Sequence, residues 1–230
     1  MPIIQDQEFG EIVVRSHQNS SRISLKIAPD GRLRASTPRN TPLFAVKALL
    51  QTSRGKIRSM LAEHMSEHGY SSNRQIGKSH SLIIVNRANR SSVETSGTKI
   101  FVYLEPGEEL SRLSTQRLIR DHVLKALRKE AKSYLPRRLA YLAEQNGFKY
   151  SSVKLTHASS RWGSCSSSGT ISLNISLMQL PFNLLDYVLI HELCHTRQMN
   201  HSRKFWTDVA SIDPDFREHR KLLKQFTPNV

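Results

Sequence analysis

The sequence predicts an α+β protein: a mostly antiparallel β region at residues 1–108 precedes a helical region with a short sheet at residues 109–230. Apolar and polar residues alternate over much of the first region, as in half-buried strands. After Leu110 the apolar residues recur mainly at helical spacing. A chain of 230 residues is long enough for these two regions to be separate domains.

The composition is that of a folded and strongly basic protein. Hydrophobic residues make up 38% of the chain, and 34 Lys and Arg against 19 Asp and Glu give a formal net charge of +15 at pH 7. Periodic apolar segments exclude a wholly disordered chain, and no apolar run approaches the ~20 residues of a membrane span. The charge fits an anionic partner such as a nucleotide or nucleic acid, and equally a basic surface without a partner.

Cysteine content and the N-terminal segment bear on the compartment. Two cysteines, Cys165 and Cys194, are too few for a disulfide framework. Residues 1–16 contain no continuous apolar segment like that of a secretory signal. We therefore expect a cytoplasmic protein in a reducing environment, without a membrane partner.

Residues 1–40 predict an antiparallel meander of short strands. Apolar residues occupy every second position in three segments: 11–15, 22–27 and 32–36. This period is typical of strands with one buried face. Pro29-Asp30-Gly31, between the last two segments, is a turn signal.

A helix and further strands complete the predicted β region. Helical spacing of apolar residues predicts a helix over residues 41–67, with a break near Gly55. Strand patterns return in three segments: 81–85, 92–95 and 99–103. The polar segment 71–78 is predicted to be a loop.

The second region begins with a long predicted helix. Ser114 or Thr115 is the expected N-cap, and Asn146-Gly147 marks the C-terminal end. Pro136 either kinks this helix or starts a second one. Strands are predicted at two later segments, with a loop at 159–166 between them: 152–155 and 169–175.

A chemically specific motif, HExxH, lies at residues 191–195 within an apolar segment. Asn183 is the expected N-cap of its helix, with Asp186 in the first turn. Helical residues four apart share a face, so His191 and His195 can bind one zinc ion through their imidazole nitrogens. Glu192 can then accept a proton from a water that the metal activates. The apolar flanks predict a buried helix, where unpaired histidines would be costly.

A catalytic zinc site usually has three protein ligands, and His201 is the candidate for the third. Because His201 follows His195 by six residues, the helix must end and the chain must turn back. Asn200 can adopt the left-handed C-cap conformation, and Ser202 can cap the next helix. His157 is a further histidine that could face the site.

The residues around the motif add a family resemblance. It is carried by RWGSCS at 161–166, GTISLN at 169–174, the HExxH helix, NHS at 200–202 and Phe205-Trp206. These segments resemble the YgjP-like family of metal-dependent hydrolases, most strongly over residues 135–206. The resemblance implies that residues 109–230 form a zincin-like metallopeptidase domain, related to the SprT-like proteins. It implies zinc ligation by His191, His195 and His201, with Glu192 as the catalytic base.

Four other residues are candidates for substrate binding or for support of the site: Arg161, Trp162, Asn174 and His157. Arg161 either stabilises charge on the substrate or fixes its loop through an ion pair, and the second role is favoured. The resemblance to zincins implies that the strand at 169–175 is an edge strand that pairs with an extended peptide. Cys194 points away from the metal face and is expected to pack in the core, as Cys165 is beneath its loop.

Zinc-dependent hydrolysis of peptides or proteins is the function that these features favour. Two alternatives stay open because of the basic charge. One is hydrolysis of phosphate esters at the same metal site, as in a nucleoside triphosphate pyrophosphohydrolase. The other is protease action on DNA-bound proteins, as in the SprT-like relatives. A purely structural metal is disfavoured, because catalysis needs a carboxylate such as Glu192 beside the histidines and structural zinc does not.

Overall fold

The computed structural model describes residues 2–28, 32–86, 89–110 and 112–228, without the side chains of residues 64–68 and 113. This part of the chain forms three β-sheets and six α-helices, which confirms the predicted α+β class. The chain divides into two compact units. The first unit comprises Met1–Ser72, Ile84–Val93 and Val102–Arg120, and the second comprises Asn73–Ile83, Glu94–Phe101 and Asp121–Val230. The domain boundary at residue 108 stays a prediction.

The first sheet contains four strands in the order β1-β2-β4-β3. They are β1 (Ile3–Asp6), β2 (Gly10–Ser16), β3 (Ser24–Ile27) and β4 (Leu33–Thr37). The predicted meander is wrong, because β2 and β4 pair in parallel, with Val13 opposite Arg34. The strand β4 buries Leu33, Ala35 and Thr37 and is one of the two inner strands, whereas the less buried β3 lies at the edge. The turn predicted at 29–31 lies outside the described residues.

Two helices, α1 (Leu43–Thr52) and α2 (Arg54–His68), occupy the segment predicted as one interrupted helix. The break falls at Ser53 rather than at Gly55, because the N–H of Ser53 donates to the carbonyl of Leu49 and closes α1. Apolar residues of both helices share a buried core with the first sheet. They include Val46, Leu50, Ile57 and Leu61.

The second sheet has the strand order β5-β6-β8-β7. Its strands are β5 (Gln75–Ile76), β6 (His80–Val85), β7 (Ser92–Ser96) and β8 (Lys99–Tyr103). The predicted loop at 71–78 is therefore wrong in part, because it contains β5. Within β5, Ile76 is buried and pairs with His80. One apolar residue among polar neighbours is too weak a pattern to predict a strand.

The longest helix, α3 (Leu113–Gln145), continues through Pro136 without ending. Leu135 and Leu139 on either side of the proline are fully buried, and their burial favours a continuous helix. Ser114 and Thr115 were the predicted N-caps, but both lie inside the first turn of the helix, so that prediction is wrong. Gly147 has a φ of +63° and follows the helix end, as the Asn-Gly signal predicts.

A buried glutamate on α3 anchors the turn between β5 and β6. Glu130 accepts hydrogen bonds from the backbone N–H groups of Lys78, Ser79 and His80 at 2.6, 3.0 and 3.1 Å. Gly77, with a φ of +61°, permits this approach, since a Cβ there would collide with the carboxylate. The ammonium of Lys78 donates to the carbonyl of Leu180, immediately before the HExxH helix.

The third sheet and three helices follow α3. The elements are β9 (Ser152–Thr156), β10 (Gly163–Cys165), β11 (Thr170–Asn174), a 3-10 turn (Ile175–Gln179), α4 (Phe182–His195), α5 (Arg203–Ile212) and α6 (Phe216–Leu223). The strand order is β10-β11-β9, so β11 is the central strand and the prediction that it forms an edge is wrong. The predicted loop at 159–166 contains β10, which pairs antiparallel with β11.

Among the described residues, every helix falls short of the length or the apolar character that a membrane-spanning helix needs.

Candidate metal centre

Helix α4 carries the HExxH motif and is buried along most of its length. It begins at Phe182 after Pro181, so Asn183 lies inside the first turn and is not the N-cap. Asp186 forms a bidentate ion pair with Arg138 of α3, at 2.9 and 2.6 Å. This charge-assisted pair joins α4 to α3 within the second unit.

The chain reverses direction after α4, as the spacing to His201 requires. The N–H groups of Arg197 and Gln198 donate to the carbonyl of Cys194 at 3.1 and 3.0 Å and tighten the helix end. Asn200 does not have a positive φ, so the predicted left-handed C-cap conformation is wrong. Ser202 caps α5 as predicted, with its side chain accepting from the N–H of Phe205.

Three histidines converge at this reversal: His191, His195 and His201. The Nε2 atom of His191 lies 3.2 Å from Nε2 of His195 and 3.1 Å from Nε2 of His201. Nδ1 of His195 donates to the carbonyl of Gln198 at 3.0 Å. That hydrogen bond leaves the lone pair of Nε2 facing the other two rings.

An aromatic side chain supports all three imidazoles. The fully buried ring of Phe205 lies 4.9, 4.5 and 4.9 Å from the rings of His191, His195 and His201. Trp206 stacks on His201 with a centroid distance of 5.6 Å and an interplanar angle of 27°. Phe205 and Trp206 had no predicted role beyond the family resemblance, because these ring contacts depend on the reversal after α4.

The histidine cluster fits a divalent metal ion. Zinc–nitrogen bonds of about 2.0–2.1 Å in a tetrahedron place neighbouring nitrogens about 3.3 Å apart, which is close to the Nε2 spacing. Unprotonated nitrogens as close as the two pairs that include His191 would repel one another without a cation. Burial lowers the pKa of His191 to about 3, so this ring is neutral, as a metal ligand must be.

Glu192 is buried beside the cluster, on the side formed by β10. Among the described residues its Oε2 atom has no hydrogen-bond partner. Burial raises the pKa of this carboxyl to about 8. Gly163 provides the space, because a Cβ at that position would lie 2.7 Å from Oε1 and 2.8 Å from Cγ of Glu192.

The requirement for a glycine at 163 was missed in the sequence analysis. A lone glycine inside a strand often marks a close approach of another group, but RWGSCS was predicted to be a loop, where glycine is common. The partner could not be inferred, since Glu192 is distant in the sequence and reaches β10 only through the packing of α4.

Replacing Gly163 with alanine is expected to lower kcat by about 10²-fold, because the methyl group displaces the Glu192 carboxylate. Metal content should stay unchanged, since the three histidines lie on other elements. Gly55→Ala is the matched control, because a Cβ at Gly55 meets nothing within 4 Å. Kinetics, metal analysis and thermal unfolding of both variants provide the test, and full activity in a folded Gly163→Ala variant would contradict the steric argument.

The other candidate residues have different positions. Asn174 is fully buried, and its Nδ2 donates to the carbonyls of Ala158 and Arg161 at 2.6 and 2.9 Å. Its backbone N–H donates to the carbonyl of Trp162 at 2.8 Å, so Asn174 holds the loop before β10. The side chain of Trp162 is half-buried.

Arg161 and His157 do not join the cluster. Arg161 is exposed and forms no ion pair within the described residues, so its role stays a prediction. Its loop is held through its backbone carbonyl instead, as the Asn174 contact shows. His157 is also exposed and lies outside the group of three convergent histidines.

Neither cysteine belongs to the cluster. Cys194 is fully buried on α4, and burial raises the pKa of its thiol to about 12, as expected for a packing residue. Cys165 lies on β10 rather than in a loop and is half-buried, and burial raises its pKa too. A thiol with a raised pKa is a poor nucleophile and a poor metal ligand.

Helix α6 brings further polar groups to the cluster, none of which the sequence analysis selected. The guanidinium of Arg220 lies 4.8 Å from the ring of Trp206. His219 donates from Nδ1 to Asp213 Oδ2 at 2.8 Å, and its ring lies 6.2 Å from that of Tyr187. Tyr187 in turn lies 6.0 Å from His191, one helical turn earlier on α4.

Comparison with known proteins identifies the family of the chain. A family model described as YgjP-like, metallopeptidase domain, matches residues 21–226. A search of curated protein sequences finds no match for the chain. A similar solved structure is the metallopeptidase zymogen of Pyrococcus abyssi abylysin, with 23% identity, a TM-score of 0.36, and coverage of 40% of this chain and 93% of that one. Because the family model spans most of its length, the chain belongs to the YgjP-like family of metal-dependent peptidases.

Proposed function

We propose that the protein is a zinc-dependent peptidase whose metal ligands are His191, His195 and His201 and whose general base is Glu192. One observation carries this proposal: the three Nε2 atoms converge beside a buried carboxylate whose Oε2 has no partner among the described residues. A structural metal site would not need that carboxylate. Three nitrogen donors suit zinc better than magnesium or calcium, which prefer oxygen.

The residues of the site have separate tasks in this mechanism. A bound zinc ion would supply Lewis-acid activation of water and of the scissile carbonyl. Glu192 accepts the proton of the attacking water and returns it to the leaving amine. Gly163 leaves room for this carboxylate, and Phe205 holds the three imidazoles together.

The peptide is proposed to bind along β10 instead of β11. β10 pairs with β11 on one side, and its other edge is unpaired in the sheet of the described residues. An extended peptide can add to such an edge through backbone hydrogen bonds. Because Gly163 of β10 touches Glu192, a peptide on this edge would have its backbone near the general base.

A substrate screen tests the proposed activity. Protein loaded with zinc is incubated with a mixed peptide library and, separately, with nucleoside triphosphates. We expect peptide cleavage that stops on chelation and returns on addition of zinc, with no nucleotide hydrolysis. Zinc-dependent release of phosphate or pyrophosphate, without peptide cleavage, would instead support the phosphate-ester alternative.

A specific surface feature favours the DNA-associated alternative as an additional property of the peptidase. Four exposed cations on α3 are neighbours at spacings of three or four residues: Lys125, Arg128, Lys129 and Lys132. None of them forms an ion pair within the part of the chain that the structure describes. Like charges at these spacings destabilise a helix by about 0.2–0.5 kcal/mol per pair, which phosphate groups would relieve.

Nucleic-acid binding through this surface is expected to weaken steeply with salt. Replacing all four residues with glutamine should reduce the slope of log affinity against log salt by up to roughly 3–4. The control variant neutralises four exposed cations elsewhere: Arg39, Lys47, Lys56 and Lys99. Fluorescence anisotropy with labelled duplex DNA measures both slopes. A salt-independent signal, or equal slopes for the two variants, would contradict this assignment.

A further inference from the structure

Helix α6 places a positive charge beside the histidine cluster. Arg220 stacks on Trp206 at 4.8 Å, and Trp206 stacks on His201 at 5.6 Å and on Phe216 at 5.5 Å. This aromatic stack holds the planar guanidinium on the His201 side of the cluster. After burial and the other two histidines, the charge of Arg220 also contributes to the lowered pKa of His191.

The positive charge of Arg220 has no carboxylate partner within the described residues, in contrast to several other arginines. Arg54, Arg112 and Arg138 each form an ion pair with an aspartate or glutamate. Asp213, the buried carboxylate near α6, is hydrogen-bonded to His219. The site would already hold a dication, and Glu192 is the buried carboxylate beside the histidine cluster. Arg220 therefore adds further positive charge to this site.

A second polar group lies in the same region. Tyr187 is one helical turn before His191, and its side chain is largely buried. Its ring lies 6.2 Å from that of His219, which directly precedes Arg220 on α6. Burial raises the pKa of the Tyr187 hydroxyl, and the charge of Arg220 opposes that rise. A guanidinium and a phenol hydroxyl together offer the donors that a carboxylate accepts.

We propose that Arg220, together with Tyr187, binds a carboxylate of the peptide substrate next to the metal centre. The enzyme would then prefer peptides that carry a free C-terminus or an acidic side chain near the scissile bond. This inference rests on the proposed peptidase function for its biological meaning, but carboxylate binding itself is independent of turnover.

Binding is tested first, with metal-free protein, so that neither turnover nor metal ligation contributes. The probes are N-acetyl-trialanine and its C-terminal amide, followed by NMR through the indole signal of Trp206. We expect the acid to bind at least about 10-fold more tightly than the amide, and Arg220→Gln to abolish this difference. Equal binding of acid and amide by the wild-type protein, or no saturable binding of the acid, would overturn the proposal.

Arg217 provides the matched control. It is exposed on the same helix and also lies near an aromatic ring, 5.7 Å from that of Phe216. Arg217→Gln should keep the preference for the acid. Loss of the preference in both variants would indicate a general effect of the charge of α6 and would contradict a specific site at Arg220.

Kinetics then separate the two sources of the carboxylate. Peptides with a free or amidated C-terminus, and with internal Asp or Asn, are compared on the zinc-loaded enzyme. One of the two pairs, free against amidated C-terminus or Asp against Asn, should show a preference for the carboxylate. In that pair, Arg220→Gln should lower kcat/KM about 10- to 100-fold for the peptide with the carboxylate and leave the other peptide unchanged. Arg220→Glu should shift the preference toward Lys-bearing peptides. An equal loss of kcat/KM on every substrate would overturn the role of Arg220 in specificity. If no peptide were cleaved at all, the proposed peptidase function would be refuted, but the NMR test of carboxylate binding would still stand.

Discussion

Replacing Glu192 with glutamine is expected to lower kcat for peptide cleavage by about 10²–10⁴-fold while zinc stays bound. Glutamine has nearly the same shape as glutamate, so the space left by Gly163 accommodates it. An amide cannot accept the proton of the attacking water, and this loss removes general base catalysis. Steady-state kinetics and metal analysis of the same preparation measure the two effects separately.

Two outcomes would contradict the role of Glu192 in different ways. Retained activity would show that another group takes the proton. Loss of zinc together with activity would show that Glu192 is a ligand instead of a base. Glu144→Gln, on the exposed surface of α3, serves as the matched control and should change neither quantity.

Replacing His201 with alanine is expected to reduce zinc affinity by roughly a hundredfold or more. Loss of an outer-shell partner typically costs 10–100-fold in metal affinity, and loss of a direct ligand should cost at least as much. His201 is exposed, so the change should leave the fold intact, in contrast to a change at the buried His195. Competition with a chromophoric chelator measures the dissociation constants of the variant and the wild type.

His157→Ala is the control for His201→Ala, because His157 is an exposed histidine outside the cluster. This variant should bind zinc like the wild type. Equal zinc affinity of the His201→Ala variant and the wild type would show that the third ligand is a different residue.

Patterns within single elements predicted much of the fold. The helical spacing of the HExxH segment predicted α4, and period-two alternation predicted most strands, because both signals come from neighbouring residues. Strand order depends on contacts between distant segments. The central position of β11 and the parallel pairing of β2 with β4 therefore had no signal in the local pattern. The three residues of β10 were too few and too polar to show a period.

The candidate site divides in the same way. His191 and His195 share a helix, so their common face was predictable, and the spacing of His201 required only a chain reversal. The neighbours of the cluster come from elsewhere: Gly163 from β10 and Arg220 from α6. Neither residue type is unusual in its own segment, and only tertiary packing brings them to the histidines.

His191, His195 and His201 are proposed to hold one zinc ion through their imidazole nitrogens. Zinc K-edge X-ray absorption of the loaded protein identifies the ligand atoms and measures their distances from the metal. We predict three imidazole nitrogens at about 2.0–2.1 Å from the metal, with a lighter-atom ligand in the remaining position. Two results would contradict this assignment: a sulfur ligand at about 2.3 Å, or fewer than three imidazole ligands. A sulfur ligand would mean that Cys165 or Cys194 binds the metal.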